Sequence, residues 1–126
     1  GVQPDMSIGV DCSGLVNLAY RIHGIDIPRD SHEQRLKSRE VRRAELKLGD
    51  LVFLSDTARS KIITHVMIFT GGDGVIESRK SSGRVLRSSF TERLGVPVSE
   101  IESGDVVTDR SAIPPRRRSI FFGSYF

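Results

Sequence analysis

The order of patterns along the chain predicts an α+β fold, with one helix leading and antiparallel strands following. Three observations predict it. Apolar residues at helical spacing, Leu15, Leu18, Ala19 and Ile22, come first. The apolar run Leu51 to Leu54 and the β-branched-rich run Ile62 to Thr70 then have the length and composition of strands. Finally, Gly71-Gly72-Asp73-Gly74 joins the second run to a returning stretch, Val75 to Ser78, as a hairpin turn would. Helices gathered on one side of an antiparallel sheet are the packing that this order allows.

Each element has its own local reason. Gly1 to Val10 carries Pro, Gly and Ser and reads as loop. Asp11 sits at the N-cap position of the first helix, which begins at Cys12 and which Gly24 can close in a left-handed conformation. A short second helix is expected from Asp30 to about Ser38, because Asp30 and Glu33 stand in the capping-box relation after the helix-excluding Pro28. Leu48-Gly49-Asp50 is a turn, in which Asp50 is expected to bond its own backbone. Val85 to Arg87 is a further strand. Ser89 and Glu92 box a turn of helix over Phe90 to Leu94, with Gly95 behind it. From Val96 to Pro115 there is little periodic signal, and Ser119 to Phe122 is a last strand.

A length of 126 residues fits one domain, residues 1–126. No apolar run approaches the roughly 18 residues that a membrane helix needs. The chain starts at Gly1 with no basic-then-apolar leader, so it is read either as processed or as a piece of something longer. The net charge is +3 and the 19 basic residues are mostly arginine, clustered at Arg42-Arg43 and Arg116-Arg117-Arg118. These clusters alternate with acids and no aromatic residues interleave with them. They read as solvated faces and not as a nucleic-acid surface.

The single cysteine rules out an internal disulfide and a four-cysteine zinc site. Its position makes it chemically interesting. At the first turn of a helix, unpaired backbone N–H groups and the positive end of the helix dipole stabilise a thiolate, the reactive form. Gly14 leaves room for a substrate, and the N–H of Cys12 can donate to a developing oxyanion.

A base is also needed, and there are three histidines. His23 is eleven residues from Cys12, about 16 Å by helical rise, and is too far. His32 falls in a polar stretch read as an exposed turn. His65 alone lies inside an apolar strand, where a polar residue needs a reason. On spacing alone a hydrogen-bonded core histidine is the favoured reading. The three histidines lack any zinc-ligand spacing, so neither metal nor cofactor is expected.

Four segments taken together resemble the NlpC-type cell-wall cysteine peptidases. Asp11-Cys12-Ser13-Gly14-Leu15-Val16 is similar to that family's nucleophile motif. Pro28-Arg29-Asp30-Ser31-His32-Glu33-Gln34 resembles its Pro-Arg-x-Ser-x-x-Gln segment, and Leu46-Lys47-Leu48-Gly49-Asp50-Leu51-Val52-Phe53 its Leu-x-x-Gly-Asp-Leu-Val-Phe strand. Thr64-His65-Val66-Met67-Ile68-Phe69 resembles its His-Val-x-Ile-Tyr strand.

The resemblance implies a papain-like core, with the nucleophile helix packed against the antiparallel sheet that carries the histidine. It implies hydrolysis of a peptide bond in peptidoglycan stem peptides, often between D-glutamate and a diamino acid, with Cys12 as nucleophile and His65 as base. It places the protein in the bacterial cell envelope, periplasmic or secreted, with cytoplasmic recycling as the alternative. The substrate-binding residues it suggests are Asp11, which can meet a stem-peptide amine, Ser13 beside it, and Arg29, which can pair with a carboxylate.

Two departures stand out. The family's third catalytic residue, usually His and sometimes Asn or Gln, lies twelve positions after the histidine. Here that position is Glu77. A carboxylate there would accept the imidazole N–H and favour the imidazolium form. It requires an odd hairpin loop, such as Thr70 to Gly74, because an even one would put His65 and Glu77 on opposite faces. A Glu77→Gln amide would, on this reading, still accept that proton and keep the geometry. Glu77 is otherwise an exposed hairpin glutamate without a role. The second departure is the family's Pro-Tyr-x-Trp-Gly-like stretch before the nucleophile. It has no counterpart after Gly1, so either it precedes Gly1 or the substrate site is built differently. The competing functions are an amidase cutting the sugar–peptide amide and a catalytically silent member that binds cell-wall fragments.

Overall fold

The computed structural model of the chain describes residues 17, 20, 28–79 and 84–126. Among them are two short helices, α1 (Ser31–Lys37) and α2 (Phe90–Leu94), and seven strands: β1 (Arg39–Glu40), β2 (Leu51–Ser55), β3 (Ile63–Gly71), β4 (Gly74–Arg79), β5 (Arg84–Ser89), β6 (Val106–Asp109) and β7 (Arg116–Ser124). Asn17 and Tyr20 are helical, as the first expected helix requires. Its cap Asp11, its start at Cys12 and its closing Gly24 lie outside the described residues.

The local signals hold where they can be checked. Asp30 caps α1, its carboxylate accepting from the backbone N–H groups of His32 and Glu33. Ser89 and Glu92 form a complete capping box on α2, and Gly95 closes that helix with φ of 82°. Asp50 bonds its own turn, accepting from the N–H of Lys47 at 3.0 Å.

All strand pairs are antiparallel, in the order β1-β7-β2-β3-β4-β5, with β6 added on β7. β6 falls in the stretch without periodic signal, and β1 has only two residues. Both are made by pairing with β7 and not by local pattern. β7 also runs further in each direction than the four residues, Ser119 to Phe122, that announce it. The side chain of Ser38 packs onto Gly123 of β7, where a Cβ would meet the Ser38 side chain and the Phe53 ring.

The sheet separates two apolar layers. One holds Val52, Leu54, Met67, Phe69, Val75, Ile120 and Phe122 beneath Phe90 and Leu94 of α2, Ile101 and Val107. The other holds Leu51, Phe53, Ile63, Val66 and Phe121 against Tyr20 of the first helix. Tyr20 donates its hydroxyl proton to the carbonyl of Gly49 and meets Tyr125 edge-on at 5.7 Å. These contacts dock the helix on the sheet, which gives the α+β arrangement expected. Burial raises the Tyr20 pKa, and Asp50 nearby adds to that effect.

The register of β3 shifts where Leu54 pairs with His65 but Ser55 pairs with Ile63. The extra residue, Thr64, lets Ile63 face the Tyr20 layer while His65 stands with Met67 and Phe69 on the other.

Candidate active site

The β3–β4 hairpin decides the site. Phe69 pairs with Val75 and Ile68 with Ile76, while the register shifts so that Gly71 pairs with Gly74. Gly71 and Gly72 take positive φ values of 91° and 59° to make the turn. Thr70 to Gly74, an odd number of residues, thus separate the paired Phe69 and Val75. Side chains alternate along a strand, so His65 and Glu77 fall on one face, displaced diagonally.

They are in contact. Nε2 of His65 lies 2.6 Å from Oε1 of Glu77. Glu77 is 1% exposed, so it is not the solvated hairpin glutamate that its position also allowed. Burial by itself would raise its pKa. The hydrogen bond and charge of His65, and then the charge and hydrogen bonds of Arg93, outweigh burial and bring it down to about 2. Glu77 is therefore a carboxylate and can only accept, so Nε2 of His65 carries the proton. In the neutral ring the basic nitrogen is then Nδ1.

Behind Glu77 lies a set of ion pairs that the sequence reading did not find. Arg93 of α2 donates from Nε to Oε2 of Glu77 at 2.9 Å and from Nη2 to Oε1 at 3.4 Å. Its Nη1 donates to Oδ1 of Asp109 on β6. Asp109 accepts on its other oxygen from Nη1 of Arg118 at 2.7 Å. Arg118 also donates from Nε to the carbonyl of Ser55 at 2.5 Å and from Nη2 to the Thr64 hydroxyl at 2.7 Å. Burial opposes the charge on Arg93, but Glu77 and Asp109 outweigh it and raise its pKa. The Asp109 carboxyl is held well below the usual range: burial opposes this, and Ser111 and Arg118 bring it about.

This corrects one reading. Arg116 and Arg117 are exposed, as a solvated arginine face requires, but Arg118 is buried. Nothing local marked the difference, beyond alternation along β7, which puts Arg118 on the face of Ile120 and Phe122.

The other sites separate. His32 is not in an exposed turn: it lies in the first turn of α1, half-buried, and its Nδ1 accepts from the backbone N–H of Ile63 at 3.1 Å. The bulge at Thr64 is beside this contact. Arg29 is exposed, just before α1. Gln34 is buried and ties α1 in place, donating to the carbonyl of Pro28 at 2.8 Å, while its own carbonyl accepts from the Tyr125 hydroxyl at 2.6 Å. Asp11, Cys12 and Ser13 lie outside the described residues. Among the described residues no group of three or more side chains is arranged to hold a metal ion, and no helix is long and apolar enough to cross a membrane.

Known proteins resemble this chain in sequence and in fold. The model of the NlpC/P60 family matches residues 1–97. The bifunctional muramidase/DL-endopeptidase CwlT of Bacillus subtilis is 35% identical over 96 residues, which are 76% of this chain and 25% of that protein. A crystal structure of an NlpC/P60 family protein from Bacillus cereus superimposes with a TM-score of 0.59 at 33% identity, covering 64% of this chain and 26% of the other. This chain therefore spans about a quarter of the length of each of these relatives. RipD of Mycobacterium tuberculosis, a non-catalytic NlpC/P60 domain protein adapted to peptidoglycan binding, shares the fold over 92% of this chain and 67% of its own, with a TM-score of 0.61 at 18% identity. The expected papain-like α+β core is the fold of these structures.

Proposed function

Because the chain belongs to the NlpC/P60 family, we propose that it is a cysteine endopeptidase that hydrolyses peptide bonds in peptidoglycan stem peptides. The bond is the one between D-glutamate and a diamino acid, and residues 1–97 matched by the family fall within one catalytic domain, residues 1–126. Cys12 is the nucleophile, His65 the base and Glu77 the group that orients it. The observation that carries this reading is the 2.6 Å contact between His65 and a buried carboxylate twelve positions away. It turns Nδ1, the basic nitrogen, outward from Glu77, as a partner for a thiol requires.

The steps follow from these groups. His65 takes the Cys12 proton on Nδ1, and the thiolate attacks the peptide carbonyl carbon. The oxyanion that forms is stabilised by the backbone N–H of Cys12. As the C–N bond breaks, the imidazolium returns its proton to the leaving amine, and a thioester remains. Water, deprotonated by His65, attacks the thioester and releases the acid. Glu77 accepts from Nε2 throughout and holds the ring in one tautomer. Asp11, Ser13 and Arg29 bind the substrate, Arg29 being exposed where a carboxylate can reach it. Neither metal nor cofactor takes part. The partner is peptidoglycan or its fragments, which puts the protein in the bacterial cell envelope.

The test is mass spectrometry of a stem tripeptide and tetrapeptide after incubation with the chain and with Cys12→Ala. Cleavage after D-glutamate by the first and none by the second is expected. Cleavage at the sugar–peptide amide would make it an amidase, and binding of fragments with no product would make it a silent member.

A further inference from the structure

We propose that Arg93, anchored by Asp109 and Arg118, is a positioning residue that aims the Glu77 carboxylate at His65 and limits how tightly it holds the imidazole proton. This rests on the catalytic reading of His65 above.

Three observations carry it. Arg93 is set between two acids from two strands, with Nε and Nη2 on Glu77 and Nη1 on Asp109, and its side chain is 6% exposed. A planar fork bonded in this way fixes the plane of the carboxylate as well as its place. Second, the chain of contacts is closed. From His65 it passes through Glu77, Arg93, Asp109 and Arg118 to the hydroxyl of Thr64, the residue before His65. It joins β3, β4, α2, β6 and β7, so the ring of His65 and the residue before it in β3 are tied to one network.

Third, the charges balance in a way that matters to a base. Glu77 and Asp109 offset Arg93 and Arg118, and an imidazolium on His65 adds one positive charge. A buried carboxylate facing only an imidazolium would bind its proton strongly. A base in this chemistry must give that proton to the leaving amine, so a strongly held proton slows the second half of the reaction. Arg93 draws on the same carboxylate and weakens that hold. As a device for stability alone, a buried ion-pair chain gains little over apolar residues of the same volume.

The charged groups that face His65 among the described residues are Glu77 from β4 and, through it, Arg93 from α2, Asp109 from β6 and Arg118 from β7. His32 of α1 contacts β3 two positions away, at Ile63. The experiment is an NMR titration of the His65 ring in the full chain carrying Cys12→Ala, so that no thiolate titrates beside it. Arg93→Gln removes a cation and should raise the His65 midpoint by roughly one unit. Asp109→Asn removes an anion of nearly the same shape and should lower it. A role in packing alone predicts no shift, or shifts of one sign in both variants, and either result overturns the proposal. If Arg93→Gln does not fold, Asp109→Asn decides alone, and an unmoved midpoint overturns the proposal. With Cys12 restored, the same variants should lower kcat by about tenfold or more and leave KM nearly unchanged. The titration needs no turnover. A chain that cleaves nothing but shows opposite shifts therefore refutes the peptidase reading and not the positioning role.

Discussion

Glu77 stands diagonally across the β3–β4 hairpin from His65, with Oε1 2.6 Å from Nε2, and its other oxygen is taken by Arg93 at 2.9 Å. Both carboxylate oxygens are therefore acceptors in use, towards two different side chains.

That double use changes what Glu77→Gln should do. From the sequence, an amide oxygen seemed enough to keep the His65 geometry. With Arg93 in place, an amide that accepts from His65 must turn its NH2 group towards the Nε–H of Arg93, donor against donor. The alternative orientation turns the NH2 group towards His65. Glu77→Gln is expected to lose about as much kcat as Glu77→Ala, on the order of a hundredfold. Steady-state kinetics of the two variants on a stem peptide check this. A glutamine variant close to wild type would mean that the Arg93 contact has no part in orienting the ring.

The same contacts make stability depend on acid. The folded-state pKa of Glu77, about 2, lies below its ordinary value of 4.5. A depressed carboxylate stabilises the fold fully above its unfolded-state pKa, and that stability is lost as pH falls through the folded-state value. Urea midpoints should therefore fall between about pH 5 and pH 2, by an amount on the order of 3 kcal/mol from this group. Asp109, shifted in the same direction, adds to the loss. Glu77→Gln should be less stable at neutral pH and show a flatter profile over that window.

Gly123 is closely approached by two side chains. A Cβ there would lie 2.9 Å from Cε2 of Phe53 and closer still to the Ser38 hydroxyl. Gly123→Ala should cost about 1–3 kcal/mol, since both neighbours are packed. Thermal melts should show the loss, and Ser38→Gly in the same chain should recover only part of it, because Phe53 remains.

Chelation should leave hydrolysis unchanged. Each step in the proposed reaction uses a thiol, an imidazole or a carboxylate of this chain. Activity lost in a chelator and restored by Zn²⁺ would contradict the mechanism.

Much of this protein is legible in the sequence because the forces concerned are local. Asp30 capping α1, Ser89 and Glu92 boxing α2, and Gly95 closing it all act within a few residues. The strands at Leu51 and Ile63 follow from composition and alternation, and the twelve-residue spacing of His65 and Glu77 is a property of one hairpin. What remained hidden came from partners distant in the chain. β1 and β6 exist because β7 pairs with them, and neither has a pattern of its own. His32 looked exposed until the bulge at Thr64 brought the N–H of Ile63, 31 positions away, to its ring. Arg118 looked like its solvated neighbours, and nothing local singled out Arg93, until the fold placed Asp109 between them. A buried charge is tolerated only where an opposite charge meets it, and only the tertiary fold decides which distant residue that is.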